Sequence, residues 1–71
     1  MKIKKGTLLE VNHSRRGQFI GIAEKDFDTD ETEFYPIVLA QEKTIEGSNG
    51  YWGEGSSIPC RNSLCEIKIK E

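Results

Sequence analysis

Apolar residues in this chain recur at every second position in short runs and nowhere with the period of a helix. That pattern restricts the fold more than any other feature, because an extended strand sends successive side chains to opposite faces while a helix needs apolar residues three and four apart. The last run shows it best. Cys65-Glu66-Ile67-Lys68-Ile69-Lys70 alternates strictly, so one face collects Cys65, Ile67 and Ile69 and the other Glu66, Lys68 and Lys70. Thr7 to His13 behaves alike, with Leu9, Val11 and His13 on one face and glycine or basic turn residues at either end. From Gln18 to Phe27 a second strand carries Phe19, Gly21 and Ala23 opposite Ile20 and Ile22. It reads as buried in part on both sides, with Gly21 marking a bend or bulge.

Phe34 to Ala40 is the most apolar segment and a third strand, in which Pro36 calls for an edge or a bulge because it has no N–H to give a ladder. Asn49-Gly50 precedes Tyr51-Trp52, and Asn-Gly supplies the positive φ angles of a tight hairpin turn, so a hairpin is expected to centre there. Gly53 to Ser57 continues irregularly and Ile58-Pro59-Cys60 ends that stretch. Arg61-Asn62-Ser63-Leu64 reads as one helical turn before the final strand. Five or six short strands with no long helix favour an all-β sandwich or barrel. With 71 residues there is room for one domain, spanning 1–71, with a thin core.

Ten Lys and Arg against twelve Asp and Glu leave a net charge of −2, which removes the simplest electrostatic case for a nucleic-acid binder. The basic N-terminus leads into no apolar signal region, and no stretch is long and apolar enough for a membrane span, so the expectation is a cytoplasmic, unprocessed protein with no membrane attachment. Two cysteines, Cys60 and Cys65, are too few for a disulfide framework and read as reduced core thiols beside the helical turn. Their C-x4-C spacing is not the C-x2-C of a zinc knuckle, and closing a site would require His13 and a fourth ligand, so no metal and no cofactor are expected.

The acidic run from Asp26 to Glu33 repels itself and reads as an exposed loop. Asp26, Asp28 and Asp30 share the 1-3-5 spacing of a calcium loop, but Glu31 stands where an EF-hand needs Gly and Ile37 where it needs a bidentate Glu. The carboxylates, Asp28, Asp30 and Glu31 among them, offer instead an imitation of a phosphate backbone.

The order strand, polar loop, strand, acidic loop, strand, hairpin, strand, helical turn, strand resembles an SH3-like barrel over most of the chain. Ile58-Pro59-Cys60-Arg61-Asn62-Ser63-Leu64-Cys65-Glu66-Ile67 is similar to the apolar-Pro-x-Asn-x-apolar closing segment of SH3 domains, with one extra residue between Pro59 and Asn62. Val11 to Ala23 looks like a KOW-type strand-turn-strand with its glycines. The chain also resembles a short bacterial or bacteriophage reading frame. Such a barrel sets first and last strands side by side, so the resemblance implies that Lys2, Lys4, Lys5, Lys68 and Lys70 share one region, apart from the acidic loop.

No nucleophile, base and orienting group occur together, and His13 on an apolar face reads as structural rather than catalytic, so an enzyme is not expected. The expected function is that of a binding module for a protein partner, of the kind a bacteriophage uses to modulate a host protein. The candidate surface combines Arg15, Arg16, Tyr35, Tyr51 and Trp52, with Asp28, Asp30 and Glu31 as the acidic alternative. The other reading is nucleic-acid binding through Arg15, Arg16 and the terminal lysines.

Overall fold

The computed structural model describes residues 1–45 and 50–70, with backbone alone for 43–45, 50 and 51. Nine strand segments run in chain order: β1 (Lys2–Ile3), β2 (Leu8–His13), β3 (Gly17–Ala23), β4 (Phe27–Asp28), β5 (Phe34–Leu39), β6 (Lys43–Ile45), β7 (Gly50–Trp52), β8 (Ser57–Arg61) and β9 (Cys65–Ile69). Five of them form the main antiparallel sheet in the order β8-β5-β3-β2-β9. The last strand therefore returns to lie beside β2. Two small antiparallel pairs, β1 with β4 and β6 with β7, flank this sheet.

Alternation decides which side chains fill the interior. Leu9, Val11 and His13 of β2 point inward with Phe19 and Ala23 of β3, Tyr35, Ile37 and Leu39 of β5, Ile58 and Cys60 of β8, and Cys65 of β9. Ile3 of β1 joins them, and Phe27, Trp52, Leu64 and Ile67 pack against the cluster from its margins. Complete burial of an aliphatic side chain such as Leu9 or Ile37 contributes about 1.5 to 3 kcal/mol, so this short list supplies most of the drive to fold.

Gly21 lies inside this face at the narrow pairing with Leu39. A Cβ there would overlap Ile37 Cγ2 and lie 3.3 Å from the Val38 carbonyl oxygen, so the glycine permits close approach of β3 and β5 within a regular ladder. Positive φ angles occur at Gly6, Gly17 and Gly55, and among the described residues no other type adopts one. Gly17, at φ 78°, closes the β2–β3 turn.

Several expectations are corrected. The second strand ends at Ala23, not Phe27: Ala23 makes the last bonds to the β2 side, with Thr7 and Gly6, and the chain turns away after Glu24 bonds Pro36. The acidic run contains β4, held by backbone pairing to β1, which alternation could not reveal in a two-residue strand. Pro36 belongs to an internal strand. It sits opposite Pro59 at a position where neither ring nitrogen faces the other strand, and its carbonyl accepts from Glu24 just beyond the end of β3. The helical turn is replaced by a hydrogen-bonded turn over Asn62 to Leu64, in which the Leu64 N–H reaches the Arg61 carbonyl at 2.9 Å. Three residues between two strands leave space for one such bond. The β6–β7 hairpin exists, but Gly50 is already paired with Ile45 and Asn49 lies outside the described residues.

Among the described residues β8 and β9 share no ladder, so the sheet remains open between its edges. Near the turn that joins β8 to β9 the internal strand β2 reaches β8, where His13 Nε2 lies 3.0 Å from the Pro59 carbonyl, and the Ser14 N–H donates to the Leu64 carbonyl of that turn at 2.9 Å. Among the described residues no helix is long and apolar enough to cross a membrane.

Candidate binding surface

His13 organises the end of the sheet where two of the candidate residues lie. Its ring is buried, and the Arg15 N–H donates to Nδ1 at 3.1 Å, which leaves Nε2 as the protonated nitrogen that donates to Pro59. Both ring nitrogens are thereby committed to backbone groups. The three-residue turn from Ser14 to Arg16 is fixed from below, and it delivers Arg15 outward and Arg16 sideways. Arg15 is exposed, whereas the Arg16 guanidinium carbon rests 4.7 Å from the centre of the Trp52 ring. Trp52 comes from β7 and is half-buried, so its lower part packs on the core and its ring orders the arginine. Arg16 Nε is shielded from solvent and has no hydrogen-bond partner among the described residues.

Beneath the turn lie the two thiols. Cys60 and Cys65 are free and buried, on the last part of β8 and the first of β9. Burial pushes the Cys60 thiol up to about 12, with its Cys65 neighbour adding to the effect, and burial also raises Cys65. Nearby Arg16 opposes both shifts. Neutral thiols at this depth behave as small apolar groups. Among the described residues no group of three or more His, Cys, Asp or Glu side chains is placed to hold a metal ion.

Tyr35 is a core residue at 8 % exposure, stacked on Phe27 with ring centres 5.3 Å apart, and burial raises its hydroxyl above the usual tyrosine range. It therefore presents no ring to a partner. Tyr51 pairs through its backbone with Thr44 on the hairpin, and its side chain lies outside the described residues. The described aromatic surface reduces to Trp52 at this end. A second arginine–aromatic pair escaped the sequence reading: Arg61 lies over Phe34, 5.2 Å from the ring centre, and bonds Glu33 at 3.1 Å. Phe34 is 56 % exposed. No local pattern announces this pair, because it arises from the β5–β8 register that sets Phe34 opposite Arg61.

Three of the acidic side chains, those of Asp26, Asp28 and Asp30, bond other groups of the chain. Asp26 accepts the Lys5 N–H at 2.7 Å, while Asp28 accepts the Asp30 N–H and the Met1 ammonium group, which also reaches Asp30 at 3.1 Å. The Asp30 backbone amide, first, and then the Met1 ammonium hold the Asp28 carboxyl below the usual range. Glu31 is exposed and turns back through its N–H to the Asp28 carbonyl. The expected separation of charge is thus corrected. Lys2 stands directly opposite Asp28 and the Met1 ammonium reaches Asp28 and Asp30, so the acidic run lies beside the basic N-terminus, and Lys68 pairs with Glu10 at 3.6 Å. The reason is the β1–β4 pairing, which brings the acidic run back to the N-terminus.

An open groove of about 630 Å³ crosses the outer surface of β9, β2 and β3 between Glu10, Asn12, Gln18, Glu66 and Lys68. Its polar walls and width suit water better than an enclosed small molecule. Compared with protein families, with curated proteins and with solved structures, the chain matches none of them, so its function has to be argued from the residues described above.

Proposed function

We propose that this protein is a small SH3-like barrel that serves as a non-catalytic binding module for a protein partner, through the surface formed by Arg15, Arg16, Trp52 and the β6–β7 hairpin. The observation that carries this reading is the Arg16 guanidinium stacked on a half-buried Trp52 at the base of the hairpin. Tryptophan and arginine are the residue types most often responsible for binding energy at protein interfaces. Here the stack also reduces the freedom that Arg16 has to lose on association. Its donors fit a partner that offers carboxylates or backbone carbonyls. The strand order, with β9 returning to β2 after one short turn from β8, supports the SH3-like reading.

The nucleic-acid reading receives less support, since Lys2, Lys68 and Arg61 face carboxylates, which leaves Arg15 and Arg16 to extend a basic surface at this end among the described residues. Imitation of a phosphate backbone is likewise weakened by Asp26, Asp28 and Asp30 being engaged within the chain.

A peptide array and a set of single- and double-stranded oligonucleotides, each probed with the wild type and with Arg16→Ala and Trp52→Ala, test the proposal. Peptide binding that persists as salt is raised and is lost in both variants is the expected result. Oligonucleotide binding that collapses steeply with salt, without peptide binding, would refute it.

A further inference from the structure

The two edges of the main sheet differ in whether another strand can join them. On β8 the groups that face outward belong to Ser57, Pro59 and Arg61, because the Leu39 N–H donates to the Ser56 carbonyl and the ladder alternates from there. Pro59 has no N–H, its carbonyl is taken by His13, and the Arg61 carbonyl is taken by Leu64. That edge is blocked. On β9 the Lys70 N–H bonds the Leu8 carbonyl, so Lys68 and Glu66 also turn their backbone toward β2 while Cys65, Ile67 and Ile69 turn theirs away. Among the described residues these outward groups have no partner.

We propose that a second copy of this chain pairs with β9 through this edge, antiparallel and centred on Ile67. In that register Ile67 faces Ile67 of the second copy and Ile69 faces Cys65, so the outward backbone groups meet as hydrogen-bonded pairs. Glu66 then stands opposite Lys68 of the second copy, and Lys68 opposite Glu66, at the narrow pairs where side chains come closest. Charge complementarity selects the register. A shift of one step in either direction keeps the backbone bonds but sets Glu66 against Glu66 or Lys68 against Lys68, and parallel pairing does both. Lys68 already reaches Glu10 at 3.6 Å, so the pairing extends this into a row Glu10, Lys68, Glu66 across the outer surface. At the open end of β9 the exposed Ile69, 46 % accessible, lies within the joined sheet. Lysines on an edge strand usually oppose self-pairing. Here the glutamate two positions before Lys68 converts that opposition into a match.

Sedimentation velocity over a concentration series, with Glu66→Lys, Lys68→Glu and the double exchange Glu66→Lys/Lys68→Glu, tests the proposal. The wild type is expected to dimerise reversibly, and each single reversal to raise the dissociation constant about tenfold or more, because two like-charged pairs form in each dimer. The double exchange should restore the dimer. An equimolar mixture of the two single variants, one with a basic and the other with an acidic β9, should form a heterodimer that neither forms alone. Amide exchange at Ile67 and Ile69 should slow as concentration rises. A wild type that stays monomeric at millimolar concentration overturns the proposal, and so does a dimer indifferent to the charge reversals.

Discussion

Replacing His13 by leucine removes both of its hydrogen bonds while keeping most of its volume, and the structure fixes what that costs. Two bonds are lost, to the Arg15 N–H and to the Pro59 carbonyl, each worth about 0.5 to 1.5 kcal/mol net. The Arg15 amide can turn to water, but the Pro59 carbonyl is left part-buried at the point where β2 reaches β8, which adds about 1 kcal/mol or more. The sum is about 2 to 4 kcal/mol. For a chain of 71 residues the whole stability is about 4 to 10 kcal/mol, so the loss is a large fraction of it. Urea unfolding followed by the fluorescence of the single tryptophan, Trp52, measures the change. With a slope of about 1 kcal/mol per molar, the midpoint should fall by about 2 M or more. His13→Ala should cost about 1 to 2 kcal/mol beyond the leucine variant, since it adds a cavity to the lost bonds. A leucine variant within about 0.5 kcal/mol of wild type would refute the view that His13 fastens β2 and its turn to β8 through its ring nitrogens.

Gly21→Ala should destabilise by about 1 to 3 kcal/mol, because the added methyl overlaps Ile37 Cγ2 in a filled core; the same unfolding titration would show it, and a neutral result would contradict the close approach of β3 and β5. The Cys60 thiol, raised by burial from the ordinary 9.0 to about 12, stays protonated in the fold over a range in which the unfolded chain ionises. Stability should therefore fall as pH rises through that window, and Cys60→Ala should flatten the decline in base unfolding curves. For Asp28 the sign is opposite: its lowered carboxyl stabilises the fold above the ordinary 3.8, and that contribution is lost as pH falls through its folded value. Acid titration of Asp28→Asn by circular dichroism should show a shallower acid limb. Arg16→Ala should change the Trp52 emission with little loss of stability, since the stack is at the margin of the core; unchanged emission would deny the contact.

The inward rows were legible in the chain. Leu9, Val11 and His13 of β2, Phe19 and Ala23 of β3, and Cys65 of β9 are the buried positions that a period of two selects, since side-chain direction along an extended chain is a local property. The glycine-bounded turn at Ser14 to Arg16 and the starts of β5 and β9 were legible for the same reason, and each of those strands ends one residue before the expected position. The joining of β1 to β4 was not, because a two-residue pair carries no period and depends on where the loop after β3 returns. Nor did alternation show that Pro36 would meet Pro59, that Arg16 would lie on Trp52, or that Cys60 and Cys65 would share one end of the core. Those contacts follow from which strands become neighbours and in what register. That choice is made by closing the whole chain around one thin core, so residues far apart in sequence acquire a common surface only when the sheet has formed.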